Sequence, residues 1–214
     1  ATAKITDDAQ NAHIPLVYVN RRPDVKHFPE GVAYVGSDEI KAGEMQMRYL
    51  ADKMGGKGNL AIILGRLAHS DTGKRTSGVK DVLAKYPEIK VVEEQSGDWQ
   101  REKGMDLMND WLTKGQTINA VASNNDEMGI GAAMALRQTG RQDILVGGID
   151  GTPDGLQALK KGQLAVTVFR DPVAIGAGSV DAALMLIKHA ALQGDVWVPT
   201  QLVTPENYQQ FLRN

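Results

Sequence analysis

The stretch INAVASNNDEMGIGAAMALRQTG, residues 118–140, decides the fold class. It opens with a short apolar run, Ile118–Ala122, which predicts a buried β-strand. Polar residues follow, and then Met128, Ala132 and Leu136 recur on one face of a predicted helix. A strand followed at once by a helix is the repeating unit of a parallel sheet, because parallel strands need a crossover connection.

The same strand-then-helix rhythm runs through most of the chain. Apolar residues at helical spacing recur from Met47 to Met54 and from Val180 to Ile187. Most of the predicted strands are continuous apolar runs, as expected for a sheet that is buried on both faces. The sequence therefore predicts an α/β fold with doubly wound parallel sheets. The predicted strands are Leu16–Val19, Val32–Val35, Leu60–Leu64, Ile89–Val92, Ile118–Ala122, Ile144–Gly148 and Leu164–Phe169.

Composition and charge exclude several classes of protein. Hydrophobic residues make up 42% of the 214 residues and charged residues 23%, which rules out a wholly disordered chain. The 24 Lys and Arg residues against 26 Asp and Glu residues give a net charge of −2, so no bulk positive field would hold a nucleic acid or an anionic membrane. No apolar run reaches the ~18 residues of a membrane-spanning helix. The absence of Cys excludes thiol chemistry, thiolate zinc sites and disulfides.

The first thirteen residues predict a short helix that leads into Ile14 and Pro15. They show no charged segment, apolar segment or cleavage site of a secretory signal, and they begin without Met. We therefore expect that a segment preceding this helix has been lost.

Polar side chains follow the predicted strands, at the positions where ligands bind in open parallel sheets. Six strand ends carry amides, carboxylates, guanidinium groups, an imidazole and an indole. None of them places a nucleophile next to a base, so the set does not predict an enzyme. The candidate site residues are Asn20, Arg21, His69, Asp71, Arg75, Trp99, Asn125, Asp150 and Arg170.

Nucleotide, metal and cofactor sites are poorly supported. The pair Gly73-Lys74 departs from the P-loop pattern on both sides, and Gly129 and Gly131 lie inside a predicted helix instead of opening one. His69 and Asp71 could share an ion, but zinc sites need three or four ligands. The sequence therefore predicts no cofactor and no metal.

A polyhydroxyl ligand fits the candidate residues best. Planar Asn, Asp and Arg side chains can engage two neighbouring hydroxyl groups at once. The C–H face of a pyranose or cyclitol packs against an aromatic plane, which Trp99 would supply unless it is a core residue like Trp111. The three arginines of the set would overload a pocket with charge unless Asp71 and Asp150 neutralise them, and this balance favours a neutral ligand.

Three stretches make the chain recognisable: IPLVYVNRRP at 14–23, SNNDEMGIGA at 123–132 and GIDGTPDG at 148–155. Together they resemble the bacterial periplasmic sugar-binding proteins of ABC importers for ribose, galactose or glucose, and inositol. The resemblance covers essentially the whole chain, but the family's opening strand–helix–strand–helix–strand segment is not in this chain. In that family the ligand lies in a cleft between two lobes joined by three hinge strands.

The resemblance implies roles for the first candidate residues. Asn20 and Arg21 would contact the sugar from the amino-terminal lobe. Arg75 matches the family's bidentate arginine, and Trp99 matches its stacking aromatic residue.

The remaining candidates show features of more than one branch of the family. His69 and Asp71 match the galactose/glucose-binding branch, whereas the segment GTPDG at 151–155 resembles the ribose branch. Asn125 and Asp150 match the amide and the carboxylate that bind hydroxyl groups. Arg170 falls at the hinge position where the relatives carry Asn or Gln, and its greater bulk favours an inositol or a modified hexose over an ordinary aldopentose.

The resemblance also implies a division into two lobes. Residues 1–33 and 172–197 would form a partial amino-terminal lobe, and residues 34–171 and 198–214 the carboxyl-terminal lobe. The strands absent from the first lobe should leave an apolar sheet edge and helix faces unpaired. We expect the 214-residue chain to bind its ligand weakly for the same reason.

The function implied is that of a periplasmic solute-binding component, a monomer that captures a hexose, ribose or myo-inositol. Its partners would be an ABC permease in the inner membrane and a chemoreceptor. The alternative is the effector-binding domain of a LacI-type transcription regulator, which would need a helix-turn-helix before the first lobe. A third hypothesis is an α/β enzyme that acts on a sugar, but the chain lacks the nucleophile or the set of metal ligands that such an enzyme would need.

Overall fold

A computed structural model describes residues 2–190, 192 and 194–212 of the chain. Strands and helices alternate along most of it, as the sequence predicts. The elements in chain order are α1 Thr2–Asn11, β1 Leu16–Val19, β2 Val32–Gly36, α2 Glu39–Lys53, β3 Lys57–Leu64, α3 Ser70–Leu83, β4 Glu88–Ser96, α4 Arg101–Thr113, β5 Ala120–Ser123, α5 Asp126–Gln138, β6 Leu145–Gly147, α6 Pro153–Lys160, β7 Thr167–Arg170, α7 Pro172–Ile187, β8 Asp195–Trp197, β9 Thr200–Val203 and a 3₁₀ turn at Tyr208–Phe211.

The chain forms two compact units. The first unit comprises Ala1–Asp38 and Asp171–Pro199, and the second comprises Glu39–Arg170 and Thr200–Asn214. The predicted boundary after residue 33 would have divided β2, which stays whole in the first unit because it pairs with β1 and β8 on its two sides. The predicted segments also include residues 1, 191, 193, 213 and 214, which lie outside the described residues.

The sheet of the second unit is parallel over most of its width. Its strand order is β4-β3-β5-β6, and isolated parallel bridges from Gly147 to Val166 and from Asp150 to Phe169 continue it to β7. The predicted doubly wound parallel sheet is therefore confirmed here. The prediction of parallel pairing is wrong for β9, which pairs antiparallel with β7. The sequence reading missed β8 and β9 because they are three and four residues long and neither is a continuous apolar run.

Helices cover both faces of this sheet, and β3 shows why. Successive side chains of a strand point to opposite faces. Ala61 and Ile63 pack in one core cluster with helices α4 and α5, whereas Leu60 and Ile62 pack in another with α2 and α3. All four strand residues are fully buried, so the strand needs apolar residues at every position. This packing leaves the carboxyl ends of the strands as the place for polar chemistry.

The first unit has a smaller parallel sheet in the order β1-β2-β8. Helix α7 packs against β1 and β2, with Ile175 and Ala182 buried. The other face of α7 is apolar and exposed, as expected for a helix face without a partner; its exposed residues are Val173, Val180, Leu184 and Ile187. Among the described residues, no helix combines the length and the apolar character that crossing a bilayer requires.

Candidate functional site

The carboxyl ends of the strands in the second unit bring several predicted residues together. Arg75 lies in α3, one turn beyond the loop after β3, and Asp150 lies just after β6. Arg170 ends β7, and Trp99 follows β4. Residues from four separate segments therefore meet at one edge of the sheet, as the parallel topology dictates.

Arg75 is the centre of a buried network of charges. Its Nε donates a hydrogen bond of 2.5 Å to Oε2 of Glu39, and its Nη2 donates one of 3.1 Å to Oδ1 of Asp150. Its Nη1 donates a third, of 2.5 Å, to the backbone oxygen of Asn124. Burial acts against the charged guanidinium, but the carboxylates of Asp150 and Glu39 outweigh it and raise the pKa of Arg75. Arg75 is thus a fixed cation with its donors directed at three acceptors.

Arg170 closes this network from the other side. Its Nη2 lies 2.6 Å from Oε1 of Glu39, and its Nη1 lies 3.4 Å from Oδ1 of Asp150. Two guanidinium groups thus share two carboxylates, and their formal charges cancel. Asp71 adds a weaker electrostatic stabilisation of Arg75. We name this set of Glu39, Arg75, Asp150 and Arg170 the charge quartet.

Glu39 is the member of the charge quartet that the sequence reading missed. It is 3% exposed and opens helix α2, three residues after β2 ends. The sequence reading assigned the neutralising role to Asp71 and Asp150, whereas the structure pairs Asp150 and Glu39 with the two arginines. Its position in the sequence could have identified Glu39 as a candidate, because it follows the end of a predicted strand as the other candidates do.

Asp150 is the most accessible member of the charge quartet. Its side chain is 27% exposed, compared with 4% for Arg75 and 10% for Arg170. Its backbone has a φ of 124°, a strained conformation for a residue other than glycine. Backbone hydrogen bonds with Val168 and Arg170 hold it there. Such strain is characteristic of functional sites, where the surrounding structure fixes one geometry.

A buried carboxyl group supports the loop that carries Asp150. Oδ2 of Asp126 accepts hydrogen bonds from the backbone N–H and the hydroxyl of Thr152, and Oδ1 accepts one from Thr167. Burial, followed by the charge of Asp150, raises the pKa of Asp126 to about 7. A Cβ at position 155 would lie 2.2 Å from Oδ2 of Asp126, which explains Gly155. Asp126 therefore stabilises the loop that carries Asp150.

Trp99 lies beside the charge quartet, whereas Trp111 is a fully buried core residue. The indole Nε1 of Trp99 donates a hydrogen bond of 2.9 Å to Nδ1 of His69. The guanidinium carbon of Arg75 lies 5.5 Å from the centre of the Trp99 rings. A Cβ at position 65 would lie 2.1 Å from the indole, so Gly65 makes room for it. The indole thus borders the charge quartet.

The Asn125 side chain serves the local structure. Its Oδ1 accepts a hydrogen bond of 3.0 Å from the backbone N–H of Met128 and so caps helix α5. Its Nδ2 donates one of 3.4 Å to the backbone oxygen of Trp99. The predicted contact between this amide and a ligand stays a prediction.

The other candidates are distributed over both units. Asp71 lies in the first turn of α3 and is buried. Asn20 and Arg21 belong to the first unit, where they follow β1 at exposed positions, and their role in binding stays a prediction. Among residues 2–190, 192 and 194–212, no group of three or more His, Asp or Glu side chains is arranged to hold a metal ion.

Comparison with known proteins places this site in context. A family model described as "Periplasmic binding protein domain" matches residues 1–191. A protein of Rhizobium meliloti named for rhizopine binding is 43% identical over 216 residues, which cover 99% of this chain and 70% of that protein. The ribose import binding protein of Escherichia coli K12 is 32% identical over 198 residues, which cover 92% of this chain and 66% of that protein.

A solved structure gives the same relationship in three dimensions. An ABC transporter solute binding protein from Bacillus halodurans C-125, with bound myo-inositol, superposes with a TM-score of 0.92 at 38% identity. The match covers 97% of this chain and 72% of that one. The chain thus spans between 66% and 72% of the length of these three relatives.

Proposed function

The chain belongs to the periplasmic binding protein domain family, and on that premise we propose that it captures a neutral monosaccharide or cyclitol for an ABC importer. The relatives described above are binding proteins, not enzymes or transcription regulators. The alternative of a LacI-type effector domain is therefore not retained. The relative with bound myo-inositol and the relative named for ribose import support a polyhydroxyl ligand.

The observation that carries this proposal is the balanced charge quartet with an accessible carboxylate. A carboxylate accepts hydrogen bonds from two neighbouring hydroxyl groups, and a guanidinium group donates to hydroxyl oxygens. Asp150 and Arg170, whose side chains lie 3.4 Å apart, together offer both functions. The indole of Trp99 adds an apolar plane for the C–H face of a ring.

The same balance argues against an anionic ligand. Glu39 and Asp150 already neutralise Arg75 and Arg170, so the quartet has no excess positive charge to offer. A ligand carboxylate or phosphate would be desolvated beside Asp150, at a cost that no opposing charge of the quartet offsets. We therefore infer that a neutral six-membered polyol ring, such as myo-inositol or a hexose, fits this site better than a sugar acid.

Calorimetric titration with myo-inositol, D-ribose, D-glucose and D-glucuronate tests the proposal. We expect at least one neutral compound to bind, and D-glucuronate to bind at least tenfold more weakly than D-glucose, about 1.4 kcal/mol. The two differ only at the exocyclic carbon, so the comparison introduces a negative charge while the ring hydroxyl groups stay the same. Failure of every neutral ring to bind, or tighter binding of D-glucuronate, would contradict the proposal.

Family membership also supports the cellular setting that we propose. The chain would act in the periplasm as a monomer, without catalysis, and would deliver its ligand to a permease in the inner membrane. A chemoreceptor would be a further partner of the loaded protein.

A further inference from the structure

The hydrogen bond between Trp99 and His69 fixes the protonation state of the imidazole. An indole N–H only donates, so Nδ1 of His69, 2.9 Å away, must accept. An imidazolium ion carries a proton on both nitrogens and has no acceptor. The bond therefore exists only while Nδ1 of His69 carries no proton.

Trp99 needs this support because its backbone is strained. Asp98 and Trp99 have φ values of 53° and 70°, two consecutive residues in the left-handed region. Such a conformation persists only where the surroundings over-determine it. The amide of Asn125 holds the backbone oxygen of Trp99, and the imidazole of His69 holds its side chain.

We propose that His69 is a positioning residue: its neutral imidazole holds the Trp99 indole as the platform for the ligand ring and makes ligand affinity depend on pH. This inference rests on the proposed function, because it assigns the indole to the ligand. When the imidazole is protonated, the hydrogen bond is lost and a cation lies beside the indole that also faces Arg75. The indole is then released and the affinity falls.

Other charged groups also lie on the two segments that meet here. On the loop after β3 and on the first two turns of helix α3 they are Arg66, Asp71, Lys74 and Arg75. On the loop after β4 and on the first turn of helix α4 they are Asp98, Arg101, Glu102 and Lys103. The hydrogen bond from Lys103 holds the pKa of Asp98 below its usual range.

Asp126 is the competing source of pH dependence. Its pKa is raised to about 7, first by burial and then by the charge of Asp150, so its ionisation also affects the site in this range. Asp126 acts on the Asp150 loop, through its hydrogen bond with Thr152. A variant of His69 that does not titrate separates the two effects.

The test is calorimetric titration with myo-inositol from pH 5 to pH 8 on the parent chain, His69→Asn and His69→Ala. The amide oxygen of Asn can accept from the indole at the place of Nδ1 but does not titrate. We expect the parent to lose affinity at least tenfold between pH 8 and pH 5. His69→Asn should keep most of the affinity at pH 8 and lose most of the pH dependence, and His69→Ala should bind weakly throughout.

The indole N–H resonances, observed by nitrogen-15 NMR without ligand, provide a second measurement. The Trp99 signal should shift with pH in the parent, with the midpoint of the affinity profile, and should not shift in His69→Asn; Trp111 serves as the internal control. Retention of the pH dependence in His69→Asn, or unchanged affinity in His69→Ala, would overturn the inference. If the parent binds no myo-inositol at any pH, the ligand assignment fails, and the indole titration still decides whether His69 positions Trp99.

Discussion

Arg75→Ala is expected to lower the affinity for myo-inositol about a hundredfold or more, and the free energy of unfolding by about 3–5 kcal/mol. Arg75 donates to Glu39, to Asp150 and to the backbone oxygen of Asn124, so its removal takes one donor from each of three acceptors. The side chain of Glu39 is 2% exposed, and its carboxylate would retain only Arg170 of the two arginines. Both quantities are measurable, by urea denaturation followed by circular dichroism and by calorimetric titration.

Arg101→Ala is the matched control for this variant. Arg101 also pairs with two carboxylates, those of Glu127 and Asp154, but it lies at the surface with 37% of its side chain exposed. Exposed ion pairs contribute little to stability. We therefore expect the free energy of unfolding to change by at most about 1 kcal/mol, and the affinity for myo-inositol to stay the same. Equal losses of stability in the two variants would contradict this account, because the buried Arg75 would then contribute no more to stability than the exposed Arg101.

Glu39→Gln is expected to destabilise the fold by about 2–4 kcal/mol and to weaken the discrimination against sugar acids. The substitution keeps the shape of the side chain and removes its charge, which leaves Arg75 and Arg170 with Asp150 as their remaining carboxylate in the quartet. The quartet then carries a net positive charge. D-Glucuronate should therefore gain affinity relative to D-glucose, in contrast to the parent.

Two further variants test whether charge balance is the cause. Glu44→Gln lies on the same helix and removes a carboxylate paired with Arg48 at the surface, so it should change stability by less than about 0.5 kcal/mol. The double variant Glu39→Gln/Arg170→Gln removes one charge of each sign. It should be more stable than the sum of the two single effects predicts. Strict additivity would contradict the balance proposed for the quartet.

The convergence of Arg75, Trp99, Asp150 and Arg170 could be predicted because it follows from topology. Continuous apolar runs identify buried parallel strands, and all such strands present their carboxyl ends at one edge. The chemistry of that edge can then be read from the residues that follow each run, without any knowledge of the side-chain contacts.

Side-chain partners could not be predicted in the same way. Asn125 and Asp150 both follow strands, yet one caps a helix and the other faces solvent in part, which depends on the local backbone. Glu39 was missed because a carboxylate near a helix start is usually exposed, and its burial becomes evident only once Arg75 and Arg170 are placed on either side of it. Pairing between distant residues is a property of packing and not of spacing.

The roles of the glycines also could not be predicted from the sequence. Gly131 belongs to a pair that superficially suggests a nucleotide motif, but a Cβ there would lie 1.9 Å from the backbone oxygen of Arg101. Its role is the close approach of helices α4 and α5. The short strands β8 and β9 carry too few residues for a period, and only their pairing partners in the sheets define them.

The central claim is that Trp99, Arg75 and Asp150 form one site for a polyol ring, and the three indole N–H groups test it most directly. In a nitrogen-15 NMR titration at pH 8, myo-inositol should shift the Trp99 signal saturably, with the dissociation constant found by calorimetry. The signal of Trp111, which is fully buried in the core, should not move. Asp150→Ala should abolish the Trp99 shift. Binding detected by calorimetry with an unchanged Trp99 signal would contradict the account.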